Sequence, residues 1–297
     1  MTGTNMKITG RTRICAVIGD PVGHSLSPRI HNAAFEALGL DYAYVPFHVR
    51  RGEAGAAVQA VRALGLRGLS VTIPHKVDVI PHLDEIDPVA ENIGSVNTIV
   101  NDGGRLLGYS TDGPGALRAL AASGVHPAGR KVLLLGSGGA ARALAFTLAT
   151  VEPLPSLTIL GIEAPELDRL ATDLGARTKL PLATGVMASD ALRREMERAE
   201  IVVHATPVGM SPRVGESIVP ADLFRPSQVV FDVVYTPFET RLLREAAARG
   251  AKTVPGLGMF IHQAAIQFEL WTGKEAPVDV MTRTVTAALR EAQVGGA

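Results

Sequence analysis

The chain has 297 residues, 46% of them hydrophobic and 20% charged. That length suits two domains, and the mixture argues against an intrinsically disordered chain. Lys and Arg together number 29, as do Asp and Glu, a balance that weighs against a nucleic-acid or anionic-membrane surface.

From the amino terminus, residues 1–13 hold no apolar signal core, and the single cysteine, Cys15, cannot form an internal disulfide. No apolar run reaches the ~18 residues of a membrane span, so the chain reads as soluble and cytoplasmic. Residues 14–18 are a short apolar run closed by Gly19-Asp20-Pro21, which predicts a buried strand and a turn. Ser27-Pro28 places an N-cap beside a first-turn proline, and Ile30, Ala33, Ala34, Ala37 and Leu38 follow at helical spacing. A strand over 42–49 comes next, then a helix marked by Ala54, Ala57, Val58, Val61 and Leu64, then a strand over 68–72 broken at Pro74. Ile99-Val100 and Leu106-Leu107 flank Asn101-Asp102-Gly103-Gly104, a hairpin signal. Residues 113–127 read as a link between halves.

Residues 131–135 form a continuous apolar strand that runs into Gly136-Ser137-Gly138-Gly139-Ala140 and an Ala-rich helix over 141–149. Further strands are predicted at 157–160, 184–187, 201–204 and 229–233, separated by helices at 165–174, 189–199 and 239–248. Two helices close the chain, over 259–271 and 278–291. Alternating strand and helix, with strands apolar on both faces, predicts an α/β protein with mostly parallel sheets.

A strand that ends in Gly136-x-Gly138-x-x-Ala141 and enters a helix has the layout of a dinucleotide site. The first glycine allows the tight turn, the second lets backbone approach a pyrophosphate, and the small third residue lets helix and strand pack. N–H groups at the helix start then meet the phosphate charge. The next strand ends Leu160-Gly161-Ile162-Glu163. An acid there takes a ribose 2′-hydroxyl, whereas an arginine suits a 2′-phosphate; Glu163 is either that acid or a solvated loop residue. In the first half, Ser25 and Ser27 either hold a carboxylate or, for Ser27, cap a helix. Lys76 after Val71-Thr72-Ile73-Pro74-His75 reads singly as a surface charge, and Asp112-Gly113 as a turn. The chain has no His-Glu-x-x-His, Gly-x-Ser-x-Gly or P-loop string, so no metal is required and Ser137 is disfavoured as a nucleophile.

Taken in order, Ser25-Leu26-Ser27-Pro28, Val71-Thr72-x-Pro74-x-Lys76, Val96-Asn97-Thr98, Thr111-Asp112-Gly113 and Gly136-x-Gly138-Gly139-Ala140 resemble the shikimate dehydrogenase family. The likeness continues through Ala205-Thr206-Pro207-Val208-Gly209-Met210, Asp232-Val233-Val234-Tyr235-x-Pro237, and Gly256-Leu257-Gly258-Met259 with Gln263, nearly the whole chain. It implies an N-terminal α/β substrate domain (1–112 with 255–297) and a C-terminal Rossmann-like, doubly wound nucleotide-binding domain (113–254). It implies reversible NAD(P)H-dependent reduction of 3-dehydroshikimate to shikimate, on the route to chorismate and the aromatic amino acids. By motif, Lys76 and Asp112 are the implied catalytic pair, and Ser25 and Ser27 hold the substrate carboxylate. Thr72, Asn97, Tyr235 and Gln263, with Asp112, contact ring hydroxyls. Gly136, Ser137, Gly138, Gly139 and Ala140 hold the cofactor pyrophosphate, and Thr206, Val233 and Gly256 lie along its nicotinamide end. The active site is expected between the domains, with hinges near 113–127 and 250–257.

The chain departs from the family pattern in four places. Ser70 and Ser110 stand where the family commonly has Asn, and His204 replaces the Asn before Ala-Thr. Gly161-Ile162-Glu163 replaces Asn-Arg-Thr, the family's grip on the NADP phosphate. NADP follows from the resemblance; NAD stays open through the missing arginine. Other readings left open are an NAD-dependent quinate/shikimate dehydrogenase of catabolism, a regulatory relative that binds without turnover, and a generic nucleotide module. The expected partner is a small molecule rather than nucleic acid or membrane, and a homodimer remains open.

Overall fold

The computed structural model describes residues 8–151 and 153–295; residues 1–7 of the amino-terminal stretch discussed above lie outside them. The chain divides into two compact units, residues 1–111 with 264–297, and residues 112–263.

The first unit begins β1 (Arg13–Gly19), α1 (Ser27–Ala37), β2 (Tyr42–His48), α2 (Ala54–Ala63), β3 (Gly68–Val71). It continues β4 (Glu85–Ile86), α3 (Pro88–Ile93), β5 (Thr98–Asp102), β6 (Arg105–Tyr109). The sheet order is β2-β1-β3-β5-β6-β4. β1 runs parallel to β2 and β3, whereas β5 is antiparallel to β3 and β6. Strand β1 lacks polar–apolar alternation because both its faces are covered: residues 15–19 are all buried. Ala54, Val58 and Val61 of α2 pack with Ile18, Leu69 and Ile99 in one core. The β5–β6 turn closes on Gly103 and Gly104 at φ 61° and 98°, the left-handed conformation a two-residue hairpin needs.

Helix α1 departs from its predicted start. The cap position is Leu26, without a side-chain cap bond, and Ser27 opens the first turn beside Pro28. Ser27 therefore does not cap, and it is buried.

The second unit runs α4 (Asp112–Ala122), β7 (Val132–Leu135), α5 (Gly139–Val151), β8 (Leu157–Gly161), α6 (Ala164–Gly175), β9 (Leu182–Val186). It then runs α7 (Ser189–Arg198), β10 (Ile201–His204), β11 (Val229–Asp232), α8 (Arg241–Ala248), β12 (Lys252–Pro255) and into α9 (Gly256–Thr272). The order β12-β11-β10-β7-β8-β9 is parallel throughout. Chain direction across the sheet reverses between β7 and β10, the switch point at which doubly wound folds bind ligands.

The stretch 113–127 is not a simple link: α4 takes most of it. Asp112-Gly113 looks like a turn in sequence, yet Gly113 is buried in a helix and packed so closely that a Cβ there would strike Thr147 of α5. The glycine serves close helix packing, and Ala116, Ala119 and Leu120 carry the buried face onward. Part of the second expected hinge, 250–257, is likewise regular structure, β12 and the start of α9.

The last segment returns to the first unit. Trp271 lies on Gly68, where a Cβ would come 2.8 Å from the Ile99 carbonyl oxygen; Trp271 Nε1 donates to that same oxygen at 3.0 Å. The last helix, α10 (Val278–Gly295), packs on α1, with Arg29 paired to Glu291 at 2.7 Å. Among the described residues no helix is long and apolar enough to cross a membrane.

Candidate active site

The carboxyl ends of the second sheet stand level. Leu135 of β7 is in register with His204 of β10, His204 with Asp232 of β11, and Asp232 with Pro255 of β12. The next residues in each chain segment therefore share one edge. Gly136 has φ 120°, and a Cβ on it would come 2.6 Å from the Ala205 carbonyl oxygen and 3.2 Å from Thr206 Cγ2. Gly256 is pressed against the backbone of Asp232 and Val233 in the same way, a Cβ falling 2.7 Å from the Asp232 carbonyl oxygen. Those two glycines are demanded by packing. Gly138 and Gly139 are different: a Cβ on either meets nothing within 4 Å. Open space over bare backbone at the amino end of α5, the sheet's central helix, is a cradle that fits a pyrophosphate. The structure thus places Gly136, Thr206, Val233 and Gly256 along one edge of the sheet, with Ser137 and Gly138 in the turn and Gly139 and Ala140 opening α5 beside them.

On the other side of the turn, Gly161 ends β8 with no side chain, because a Cβ would come 2.9 Å from Ser137 Oγ. Ser137 Oγ in turn donates to Glu166 Oε2 at 2.9 Å. Glu163 occupies the N-cap position of α6 without a side-chain cap bond, and Ile162 is 73% exposed. A carboxylate, rather than a cation, is therefore tied to the glycine turn, and it belongs to Glu166, which sequence reading missed. Its signal was available: an acid in the first turn of the helix that follows the second strand.

The first unit gathers its polar residues into a buried network. Tyr44 donates its hydroxyl to Ser70 Oγ at 2.6 Å, and Ser70 donates onward to Gln267 Oε1 at 2.8 Å. Gln267 Nε2 donates to Thr98 Oγ1 at 2.9 Å and to the Asn97 carbonyl at 3.2 Å. Thr98 and the Thr111 N–H both donate to Asn97 Oδ1, at 2.8 and 2.9 Å, while Asn97 Nδ2 donates to Thr111 Oγ1 at 3.0 Å. Burial pushes the Tyr44 hydroxyl far above its ordinary titration range, with Ser70 and Ser27 opposing. The short Ser70 side chain thus works as a link between Tyr44 and Gln267. Gln267 was not singled out from sequence, although it follows Gln263 by four residues. Ser110 Oγ is buried with no hydrogen-bond partner among the described residues.

Ser25 and Ser27 lie together at the start of α1, where the Ser27 N–H donates to Ser25 Oγ at 3.3 Å. Thr72 follows β3, its methyl set against Gly19, where a Cβ would come 2.5 Å away. Lys76 is half-buried just beyond, its carbonyl accepting the Val96 N–H at 2.8 Å. Asp112 opens α4 and is buried. In the second unit Tyr235 stacks on Phe260 at 4.6 Å, and burial raises its phenol above the ordinary value. Gln263 Nε2 donates to the Phe260 carbonyl at 3.0 Å, and Gln263 backbone abuts Gly115 of α4.

Comparison with known proteins agrees with these motifs. The shikimate dehydrogenase substrate-binding domain matches residues 17–99, and the shikimate 5′-dehydrogenase C-terminal domain matches 256–286. The shikimate dehydrogenase (NADP(+)) of Moorella thermoacetica is 46% identical over 293 residues, covering 98% of this chain and 99% of that protein. Shikimate 5-dehydrogenase from Listeria monocytogenes, solved with shikimate and NAD, is 40% identical with a TM-score of 0.89, over 94% of this chain and 98% of that one. The Thermus thermophilus enzyme, solved with NADP(H) and shikimate, is 37% identical with a TM-score of 0.83, over 93% and 99%.

Proposed function

Because the chain belongs to the shikimate dehydrogenase family, we propose that it interconverts 3-dehydroshikimate and shikimate with NAD(P)(H), in the cytoplasmic route to chorismate and the aromatic amino acids. The observation that carries this reading is the glycine turn at the switch point of the second sheet, in one chain with the polar network of the first. Residues 1–112 with 255–297 supply most contacts to the acid, and 113–254 most contacts to the dinucleotide, Tyr235 and Gly256 being the exceptions. The bound dinucleotide supplies or takes the hydride.

The chain's own residues do the rest. Ser25 and Ser27 hold the substrate carboxylate through hydroxyl and backbone donors. Thr72, Asn97, Asp112, Tyr235 and Gln263 fix the ring hydroxyls. Lys76 gives a proton to the oxygen of the reduced carbon and recovers it in reverse. A charged ammonium there is the general acid, and its neutral amine the base of the reverse reaction. Asp112 supplies the carboxylate of the pair. Gly136, Ser137, Gly138, Gly139 and Ala140 take the pyrophosphate; Glu163 and Glu166 offer acceptors to an unphosphorylated ribose; Thr206, Val233 and Gly256 border the nicotinamide.

Initial-rate kinetics on the purified protein test this directly, with shikimate or quinate against NAD or NADP. Shikimate is expected to be the better acid. Binding of shikimate and dinucleotide without turnover would replace the enzyme with a regulatory relative. Equal rates on both acids would point to the catabolic quinate/shikimate enzyme.

A further inference from the structure

His204 and Asp232 end adjacent strands in register, and both residues are 0% exposed. Asp232 Oδ1 accepts the Val234 N–H at 3.0 Å, and Oδ2 accepts the hydroxyl of Thr240, which caps α8, at 2.5 Å. His204 Nδ1 lies 2.8 Å from Asp232 Oδ1. With the carboxyl acting as acceptor toward its other neighbours, the imidazole hydrogen belongs on Nδ1. Its other nitrogen, Nε2, lies 2.5 Å from Thr206 Oγ1, and the Val208 N–H donates to that same oxygen at 3.2 Å. The Thr206 methyl meanwhile faces Gly136. A closed line of hydrogen bonds therefore runs from a buried carboxylate, through one imidazole, to a hydroxyl on the rim of the glycine turn.

The direction of that line has a chemical consequence. A neutral imidazole with hydrogen on Nδ1 can only accept at Nε2. Thr206 must then donate its hydroxyl hydrogen inward. Of its two lone pairs one takes the Val208 N–H, and the other is left for a ligand. Thr206 can offer a ligand an acceptor and no donor. Donation into a carboxylate-backed imidazole also polarises the hydroxyl and strengthens it as an acceptor.

We propose that His204 is a positioning residue that fixes Thr206 Oγ1 as a hydrogen-bond acceptor for the amide N–H of the cofactor's nicotinamide carboxamide. This rests on the placement of Thr206 at the nicotinamide end. An asparagine at 204, the family's common residue, offers one donor and one acceptor but on a shorter arm; a leucine offers neither.

The test combines two readouts. In 15N-edited NMR of the free protein at pH 8, the His204 ring, assigned by its loss in His204→Asn, is expected to be neutral with hydrogen on Nδ1, and Thr206→Val should shift its Nε2 resonance. An imidazolium, or hydrogen on Nε2, overturns the proposal. In fluorescence titrations with whichever of NADH and NADPH the wild type binds more tightly, His204→Leu and Thr206→Val should each weaken binding by roughly 5–10-fold. The double variant should be no weaker than Thr206→Val, and His204→Asn should recover most of the loss while KM for shikimate stays unchanged. Losses that multiply in the double variant overturn the part given to His204. Wild-type affinity in Thr206→Val overturns the placement of Thr206, independently of whether shikimate is turned over.

Discussion

Ser137 on the glycine turn is hydrogen-bonded to Glu166 at 2.9 Å, so that turn and the first turn of α6 are tied together by a carboxylate. A 2′-phosphate brought to this edge meets Glu166 and Glu163 with no arginine at 161–163, whereas a 2′-hydroxyl finds acceptors. The wild type is expected to bind NADH more tightly than NADPH. Ile162→Arg combined with Glu166→Gln should invert that order by about tenfold or more, since it adds a phosphate-matched guanidinium and removes a like charge. Titration of both dinucleotides against both proteins checks it; a wild type that prefers NADPH a hundredfold would refute it.

Lys76 and Asp112 carry the proposed proton chemistry. Lys76→Ala and Asp112→Ala should each lower kcat by ~10²–10⁴-fold. KM for shikimate should move little in Lys76→Ala, the mark of a group that acts in the transition state, and rise in Asp112→Ala, which also loses a ring-hydroxyl contact. Steady-state kinetics on purified variants decide this. Near-normal turnover in Lys76→Ala would remove the assignment.

The bridge through Gln267 is a stability element. Gln267→Leu strips partners from the buried Ser70 and Thr98 hydroxyls and from the Asn97 carbonyl. Ser70 still accepts from Tyr44, Thr98 still donates to Asn97 Oδ1, and the Asn97 carbonyl still accepts the Val71 N–H at 2.8 Å. The cost is therefore that of the removed hydrogen bonds, roughly 0.5–1.5 kcal/mol each. Denaturant titration should show the midpoint of the variant well below wild type. An unchanged midpoint would mean that the network contributes nothing net.

His31 is fully buried, stacked on Tyr44 at 4.5 Å and beside Trp271 at 5.2 Å. Burial pushes its pKa from 6.5 down to about 3. Unfolded chains take up this proton below pH 6.5 and the native state does not, so the group's contribution is complete above 6.5 and fades as pH falls toward 3. The loss is about 1.4 kcal/mol per pH unit within that window. Urea unfolding at pH 7 and pH 5 should show the wild type about 2 kcal/mol weaker at the lower pH from this residue. His31→Phe should flatten the difference; an equally steep acid limb would assign the loss to other groups.

Much of this architecture is readable from residue order. The strand–glycine–helix signal at 132–141 lands at the switch point, because a parallel strand buried on both faces is apolar throughout and a tight turn needs its glycine. The hairpin at 101–104 is equally local. What escaped is what depends on distant partners. Gly113 resembles a turn residue until Thr147 is known to lie against it. Ser27 resembles a cap, but the chain enters α1 one residue earlier. Gln267 has ordinary sequence surroundings; Glu166 carried a first-turn signal and His204 a departure from the family pattern, yet only folding reveals that Glu166 meets Ser137 and His204 meets Asp232.

The segment order also bears on how this protein is made. The sheet that emerges first from the ribosome is completed by Trp271 and α10, which are synthesised last. The unit at 112–263 is continuous in the chain and can close while the earlier strands, already packed by α2, still wait for the end of α9 and for α10. At ~5–20 residues per second that wait is on the order of ten seconds or more. The nascent amino-terminal half is accordingly the stretch most in need of chaperone shelter, and truncation after residue 263 should yield a soluble second unit joined to an aggregating first one.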